Sequence, residues 1–297
     1  MRVLYSNGKW DGIWDNPKYE EIRNKIKNTF SGLVFIEEGH KYFLHGKQMT
    51  RVSDVTHLFQ EHFDSTNKAK ETSERHFNNP NSKYYQMTPE QILQEWKNIS
   101  NEACTTGTER HEFGESAFYY MTGQYDKILK GFKDRLTEDG GFVAYDPKEE
   151  AVVRFYEDIP RSIVPILAET KVYDEELGYS GTFDILFYYD AELDGKSADK
   201  SGLVVMDWKT NKDLYKNFRG KTLLHPFNEL LDMPLSIYKL QLSLYQSCLE
   251  KIGMKVIARR ILWLKSEGAY DKINLEEYVN VLREELKNKN LTPRNHE

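Results

Sequence analysis

The sequence predicts an α/β protein with a mixed central β-sheet flanked by helices. Three observations favour this fold class. The runs 163–173, 181–189 and 202–210 are rich in apolar, β-branched and aromatic residues, which is typical of strands. Apolar residues at helical spacing precede these runs at 88–99 and follow them at 234–252. A chain of 297 residues is also long enough to bury a sizeable core, with or without a smaller appendage.

Residues 1–65 are predicted to form a small β-rich appendage. The runs 33–36 and 41–44 flank a turn-like Glu-Glu-Gly-His sequence, which predicts a β-hairpin. Ser53 is expected to cap a short helix. The polar stretch 64–83 has no apolar periodicity, which is typical of a long mobile connection or a frayed helix, so we expect disorder or a flexible arch there.

Residues 66–140 are predicted to be a helical wall or arch over a cleft. Thr88 can cap a first helix, and Pro89 suits the first position of that helix. A second helix is expected to begin near Gly107 and to carry His111.

Residues 141–297 are predicted to form the core, as one compact unit with the helical segment before them. The linker 190–201 is polar and is expected to connect two strands of a hairpin. The remaining predicted elements are helices at 126–136, 148–157 and 275–287 and a strand at 256–264.

The net charge of -6 argues weakly against nucleic acid as a partner. The segment 209–221, however, carries five basic residues against one acid, with Tyr215 and Phe218 between them. Its basic residues are Lys209, Lys212, Lys216, Arg219 and Lys221. The segment could contact phosphates and stack bases, while a solvated loop is the alternative interpretation.

Cysteine usage and hydropathy limit the function classes further. Cys104 and Cys248 are far apart and outside any CxxC spacing, so neither a disulfide framework nor a thiolate metal cluster is expected. No stretch reaches the roughly 18 apolar residues of a membrane span, and the N-terminus lacks the apolar core of a signal peptide. We therefore expect a soluble cytoplasmic protein without a membrane partner.

Acidic residues on two neighbouring predicted strands indicate a divalent metal site. Asp184 ends the sequence Gly-Thr-Phe-Asp, and Asp207 and Lys209 project from one face of the next strand while Trp208 projects from the other. Carboxylates suit one or two Mg²⁺ or Mn²⁺ ions, which assist phosphodiester hydrolysis, and Lys209 could stabilise the charge of the transition state. Asp207 lies in an apolar run, so its charge needs Lys209 or a metal as partner.

Further polar residues could support such a site. Gln241 and Tyr245 lie one turn apart on a predicted helix. Tyr245 could stack on a base or hydrogen-bond a phosphate, and Gln241 could position Lys209 or the DNA backbone. Taken alone, the pattern favours ordinary helix-surface or core-rim residues at both positions. Glu169 could orient a metal-bound water or pair with a lysine. His111 is outside any HExxH pattern, which disfavours a zinc peptidase.

Taken in order, these motifs resemble the RecB-type branch of the PD-(D/E)XK nuclease superfamily, in particular phage and mitochondrial genome-maintenance single-domain exonucleases. The matching set is Gly107-Thr108-x-x-His111, Glu169, Gly181-Thr182-Phe183-Asp184, Asp207-Trp208-Lys209-Thr210 and Gln241-x-x-x-Tyr245. The resemblance covers about 90–264, and 34–56 is similar to the N-terminal hairpin of those proteins.

The resemblance implies a role for each matching residue. The implied metal ligands are His111, Asp184, Asp207 and the backbone carbonyl of Trp208; the implied catalytic lysine is Lys209, supported by Glu169, Gln241 and Tyr245. Asp207 stands where many members have Glu, and a shorter carboxylate still binds a metal. The chain lacks the four cysteines of the iron-sulfur members, so no iron-sulfur cluster is expected.

The implied activity is that of a divalent-metal-dependent DNA exonuclease acting on single strands or free ends in recombination, repair or replication. Its implied products carry 5′-phosphates, and a helicase or a single-strand-binding protein could be a partner. Two alternatives stay open: a structure-specific or restriction-type endonuclease on the same fold, and an inactive nuclease-fold subunit that binds nucleic acid. Polarity, the choice between DNA and RNA and the number of metal ions are left open.

Overall fold

The structure is a computed structural model that describes residues 1–291. Its strands are β1 (Arg2–Leu4), β2 (Leu33–Ile36), β3 (Lys41–Leu44), β4 (Lys47–Arg51), β5 (Phe142–Ala144), β6 (Ile163–Asp174), β7 (Tyr179–Tyr189), β8 (Gly202–Lys209), β9 (Val256–Leu264) and β10 (Tyr270–Asn274). Its α-helices are α1 (Pro17–Thr29), α2 (Val52–His57), α3 (Ser65–His76), α4 (Pro89–Met121), α5 (Pro147–Asp158), α6 (Pro234–Lys251) and α7 (Val279–Lys287). The helix predicted at 126–136 is replaced by two short 3₁₀ helices, Tyr125–Lys127 and Lys130–Arg135.

Eight strands form one mixed sheet in the order β10-β9-β8-β7-β4-β3-β2, with β6 also paired to β7. The β4–β7 and β8–β9 pairs are parallel, and the other neighbours are antiparallel. Helices cover both faces: Phe155 of α5 packs against Trp208 on one face of β8, and Gln241 of α6 reaches Asp207 on the other. The predicted α/β class with a mixed sheet flanked by helices is confirmed.

The central position of β8 in the sheet explains why the sequence of this strand is almost continuously apolar. It lies between β7 and β9, and both of its faces are covered, so alternation of polar and apolar residues is not required. Its residues 203–206 are at most 1% exposed, as is Trp208. Asp207 is therefore a charged group set into the centre of the core.

Strand β7 has three strand partners. β6 pairs along its whole length, whereas β8 pairs with residues 185–189 and β4 with residues 179–180 at the opposite end. Residues 181–184 consequently lie between β4 and β8 on that edge. This gap in the ladder holds the Gly-Thr-Phe-Asp sequence, which ends at Asp184.

The N-terminal segment contains more helix than expected. Asn16 caps α1 by accepting a hydrogen bond from the backbone N–H of Lys18, a start that the sequence interpretation missed. The β2–β3 hairpin is confirmed. The prediction that Ser53 caps a helix is wrong, because Ser53 lies inside α2 and Arg51 holds the N-cap position without a side-chain capping bond.

The chain divides into two compact units. One comprises Met1–Gln60 together with the chain from His111 onward, and the other is Glu61–Arg110. Since β4 pairs with β7, strands β2–β4 belong to the main sheet, whereas β1 pairs with β5 in a separate two-stranded sheet. This division differs from the three segments predicted at 1–65, 66–140 and 141–297, and a wall over the cleft stays a prediction.

The expectation of a mobile connection at 64–83 is wrong where α3 forms. Asp64 caps that helix by accepting from the N–H of Asn67, and its inner face consists of small residues, with Ala69 fully buried. Ser73 donates to the carbonyl of Met87 at 2.8 Å. A face of Ala and Ser gives no apolar periodicity, which explains why the pattern suggested disorder.

Helix α4 begins where the sequence predicts. Thr88 and Gln91 exchange capping hydrogen bonds, which satisfies two N–H groups of the first turn. The second helix expected near Gly107 is a continuation of the same element to Met121. Within residues 1–291, no helix is both long and apolar enough to cross a membrane.

Candidate metal centre

Three acidic residues occupy one row across strands β6, β7 and β8. Glu169 and Asp184 lie next to each other across β6 and β7, because residue 168 pairs with 185 and residue 170 with 183. Asp184 and Asp207 lie one position beyond the last β7–β8 pair, Ile185 and Met206. Residues at opposite positions of antiparallel neighbours share a face, and adjacent like charges destabilise a sheet. Asp184 and Asp207 are only 8% and 1% exposed, so water screens them poorly. The row therefore requires positive charge.

Glu169 joins this row through an unusual backbone. Its φ of +42° lies in the left-handed region, which costs a non-glycine residue about 1–3 kcal/mol. A carboxylate oxygen of Glu169, one of Asp184 and a ring nitrogen of His111 all lie within 4.8 Å of one another. The distortion in β6 thus coincides with the position whose side chain completes the group.

Helix α4 brings His111 to the row. Nδ1 of His111 lies 3.0 Å from Oδ2 of Asp184, which also accepts the backbone N–H of Trp208 at 2.8 Å. The close approach depends on Gly114, because a Cβ there would lie 2.5 Å from Nε1 of Trp208. The indole is held in turn by the ring of Phe155, edge-on at 5.2 Å.

Asp207 and Lys209 form a buried ion pair. Nζ of Lys209 lies 2.5 Å from Oδ1 of Asp207, and the two side chains are 12% and 2% exposed. Nζ also lies 4.3 Å from the ring centroid of Tyr238, a cation–π contact. The prediction that both charges project from one face of β8 and Trp208 from the other is confirmed.

Helix α6 holds the other oxygen of Asp207. Nε2 of Gln241 donates to Oδ2 of Asp207 at 3.4 Å and to the hydroxyl of Tyr245 at 3.2 Å. Tyr245 is 4% exposed and lies so close to β7 that a Cβ on Gly181 would be 2.9 Å from its Cε1. This burial leaves no open ring face for the base stacking considered for Tyr245, which instead positions Gln241.

The charged groups shift one another's pKa values. Burial disfavours the Asp184 carboxylate, but His111 and Lys209 outweigh burial and lower the pKa of Asp184 to about 2. Burial and the Asp184 carboxylate raise the pKa of Asp207 to about 7, against the opposing effect of Lys209. Burial and then the same carboxylate raise the pKa of Glu169 well above its ordinary value.

Neighbouring carboxylates raise the pKa values of the two cationic groups, Lys209 and His111, against the effect of burial. Burial disfavours the Lys209 ammonium, but Asp207 and Asp184 outweigh burial and raise the pKa of Lys209. Burial likewise opposes protonation of His111, and the carboxylate of Asp184 raises the pKa of His111 overall. Lys209 is therefore a fixed cation at neutral pH, and Asp184 a fixed anion.

The donor set fits a small divalent cation. It offers one imidazole nitrogen and carboxylate oxygens within coordination range of a common point. Mg²⁺ and Mn²⁺ prefer oxygen ligands, and the nitrogen of His111 suits Mn²⁺ better than Mg²⁺. A cation at this point would replace the proton that burial favours on Glu169 and the proton that the Asp184 carboxylate favours on His111. Asp207 lies next in the row.

The basic segment after β8 forms the connection to α6. Tyr215 and Phe218 are 52% and 63% exposed, and the ring centroid of Tyr215 lies 6.0 Å from that of Trp263. The guanidinium carbon of Arg219 lies 5.1 Å from the ring centroid of Phe218. This connection carries the predicted nucleic-acid contacts Lys212, Tyr215, Lys216, Arg219 and Lys221. That role stays a prediction.

Two residues that the sequence analysis did not assign to the site support it. Tyr238 is one of the residues at helical spacing predicted within 234–252. It lies beside Lys209 and three residues before Gln241, so the i, i+3 spacing on α6 could have identified it. Gly114 follows His111 by the same interval. No sequence signal separates a glycine that permits close packing from one that is merely tolerated.

A comparison with protein-family models finds no match to this chain, and a comparison with curated proteins finds none either.

Proposed function

We propose that this protein is a divalent-metal-dependent deoxyribonuclease of the PD-(D/E)XK type, acting as an exonuclease on single strands or free DNA ends. The observation that carries the proposal is the row of Glu169, Asp184 and Asp207 beside His111, with the ammonium of Lys209 paired to Asp207. The order of these residues along the chain supports the same family.

His111, Glu169 and Asp184 would hold the ion, with Asp207 beside them. A divalent ion bound there would polarise a phosphodiester and lower the pKa of a water molecule. The protein itself holds the carboxylate ligands in place. The backbone N–H of Trp208 donates a hydrogen bond to Asp184, and the side-chain amide of Gln241 donates one to Asp207. Such supporting contacts orient the donors before a cation arrives.

Lys209 would stabilise the reacting phosphate. A hydrolysed phosphodiester gains negative charge in the transition state, and a fixed cation in a water-poor site stabilises that charge strongly. Lys209 is 12% exposed at its side chain and stays protonated because of Asp207, so it acts as an electrostatic group rather than as a base. Tyr238 restricts its position from the side of α6.

The connection between β8 and α6 would contact the DNA strand. Lys209 ends β8, so the basic residues that follow lead directly away from the candidate centre. The exposed rings of Tyr215 and Phe218, the latter with Arg219 beside it, suit unpaired bases and backbone phosphates. A helicase or a single-strand-binding protein remains a proposed partner.

The proposal is tested by incubating the protein with linear and circular, single- and double-stranded DNA, labelled at either end, in Mg²⁺ or Mn²⁺. We expect cleavage of linear strands with short labelled products and no cleavage of closed circles. Asp184→Asn should abolish cleavage. Lys272→Met, on the exposed face of β10, is a control for the loss of a surface charge away from the centre and should cleave at the parental rate.

Two outcomes point to the other functions considered. Cleavage of covalently closed single-stranded circles would favour an endonuclease on the same fold, since an exonuclease needs an end. Binding of Mn²⁺ without cleavage of any DNA or RNA would favour an inactive nucleic-acid-binding subunit.

A further inference from the structure

A cavity of about 310 Å³ opens beside Glu169, within the larger compact unit. Helix α1, the end of α4 and strand β6 surround it, and Glu169 is shared between the cavity wall and the candidate metal centre. Ligand pockets have volumes of about 300–1,000 Å³, so this cavity suits one small ligand rather than a long polymer segment.

The rim of the cavity is basic. Lys27 of α1, Lys127 after α4 and Lys171 of β6 line it. Lys127 donates to Oε1 of Gln124 at 2.5 Å, while among the described residues 1–291 no carboxylate forms an ion pair with Lys27 or Lys171. Burial and then Lys127 lower the pKa of Lys27, a sign that the two ammonium groups repel each other. Such a cluster attracts an anion.

The wall of the cavity is aromatic. Trp14 and Tyr119 line it with partly exposed rings, and the buried ring of Phe118 packs behind Trp14, 6.0 Å away at 80°. Nζ of Lys127 lies 5.9 Å from the ring centroid of Tyr119. Aromatic surface beside ammonium groups is the combination that binds a base and its phosphate together. Neither the metal centre nor the connection after β8 uses these residues.

We propose that this cavity binds one nucleotide unit, its phosphate at Lys27 and Lys127 and its base against the aromatic wall, next to the candidate metal centre. This inference rests on the proposed nuclease function and deepens it, because it places a nucleotide adjoining the bond to be cut. A cavity with room for a single unit beside the cleavage point selects strand ends and releases short products. The unit is either the terminal nucleotide of a strand or the free mononucleotide product.

The test is isothermal titration of the full chain with dAMP in the presence of a chelator, so that neither metal nor cleavage contributes. We expect the parent to bind dAMP and to bind deoxyadenosine at least tenfold more weakly, since the nucleoside has no phosphate. A Lys27→Ala, Lys127→Ala double variant should lose at least tenfold in affinity for dAMP. Lys25→Ala, on the same helix but outside the cavity, is the matched control and should bind as the parent does.

Thermal unfolding of each variant accompanies the titration, because the exposed lysines should be removable without changing the melting temperature. A Lys171→Ala variant provides an independent second removal of rim charge and should also weaken dAMP binding. The inference is overturned if the parent does not bind dAMP, or if folded variants without Lys27 and Lys127 bind it as tightly as the parent.

Competition identifies the source of the nucleotide. Displacement of dAMP by a single-stranded oligonucleotide assigns the cavity to the strand end, and lack of displacement assigns it to the mononucleotide product; both results support the nucleotide class. If dAMP binds through the lysines but no DNA is cleaved in Mn²⁺, the nuclease proposal fails and the cavity assignment stands. Cleavage of DNA without dAMP binding would support the nuclease proposal and overturn the assignment of the cavity.

Discussion

Replacing Gly114 with Ala should press helix α4 against strand β8 more closely than the packing allows. The added Cβ would lie 2.5 Å from Nε1 and 2.9 Å from Cε2 of Trp208, whereas ordinary contacts between heavy atoms are about 3.5–4.0 Å. The indole cannot move away freely, since Trp208 is 1% exposed and packs edge-on against Phe155. The backbone must therefore shift on the side of His111 or of Asp207.

Two opposing contributions set the size of the effect. Alanine stabilises a helix interior by about 1 kcal/mol relative to glycine. Overpacking a filled core costs about 1–3 kcal/mol. Because the contact is too short by about 1 Å and the indole is rigid, we expect overpacking to win and the Gly114→Ala variant to be less stable than the parent by up to about 2 kcal/mol.

Urea unfolding followed by tryptophan fluorescence measures this difference. Gly131→Ala is the matched control, because nothing lies within 4 Å of a Cβ there, and its stability should stay within about 0.5 kcal/mol of the parent. Gly114→Ala should also slow cleavage, since the shift displaces metal donors. A Gly114→Ala variant that is more stable than the parent by the full helix-propensity gain, with unchanged cleavage, would refute the reasoning.

Gly181, Asp190 and Asp184 each make a contact whose loss can be measured. Gly181→Ala places a Cβ 2.9 Å from Cε1 of Tyr245, so melting temperature and cleavage rate should both fall, and an unchanged rate would contradict the positioning contact. Burial opposes the charge of Asp190, but hydrogen bonds from Lys18 and a tyrosine lower the pKa of Asp190 overall. The ionised carboxylate therefore stabilises the fold above about pH 4, and this stabilisation is lost as the pH falls. In Asp190→Asn, the free energy of unfolding measured in urea should fall less steeply towards acid pH than in the parent. Mn²⁺ at about 100 times its Kd should stabilise the parent by about 2.7 kcal/mol, seen as a higher melting temperature, and should leave Asp184→Asn unchanged; an equal shift in both would place the ion elsewhere.

The strands that carry the site were predictable because their signals are local. Alternation along β8 is enough to place Asp207 and Lys209 on one face and Trp208 on the other. The row of three acids needed the strand register as well, which depends on pairing between segments far apart in the chain. Sequence motifs indicated the members of the group, and only the structure gives their order across the sheet.

Other features had no sequence signal to read. The left-handed backbone of Glu169 breaks the local preference of its residue type, and only the surrounding sheet imposes it. Helix α3 buries Ala69 and Ser73, residues that carry too little apolar character to create a periodic pattern. The basic rim of the cavity draws on Lys27, Lys127 and Lys171, which lie on three elements separated by long stretches of chain.

Lys209 and the acidic row are proposed to form a nuclease centre. The most direct measurement is the initial rate of cleavage of an end-labelled linear single strand in Mn²⁺ by the parent and by Lys209→Met, each at matched folded concentration. Metal-dependent cleavage by the parent is expected, together with a rate for the variant lower by at least 100-fold, as befits loss of a principal electrostatic contact in the transition state. Equal rates for the two proteins, or no cleavage by the parent, would contradict the claim.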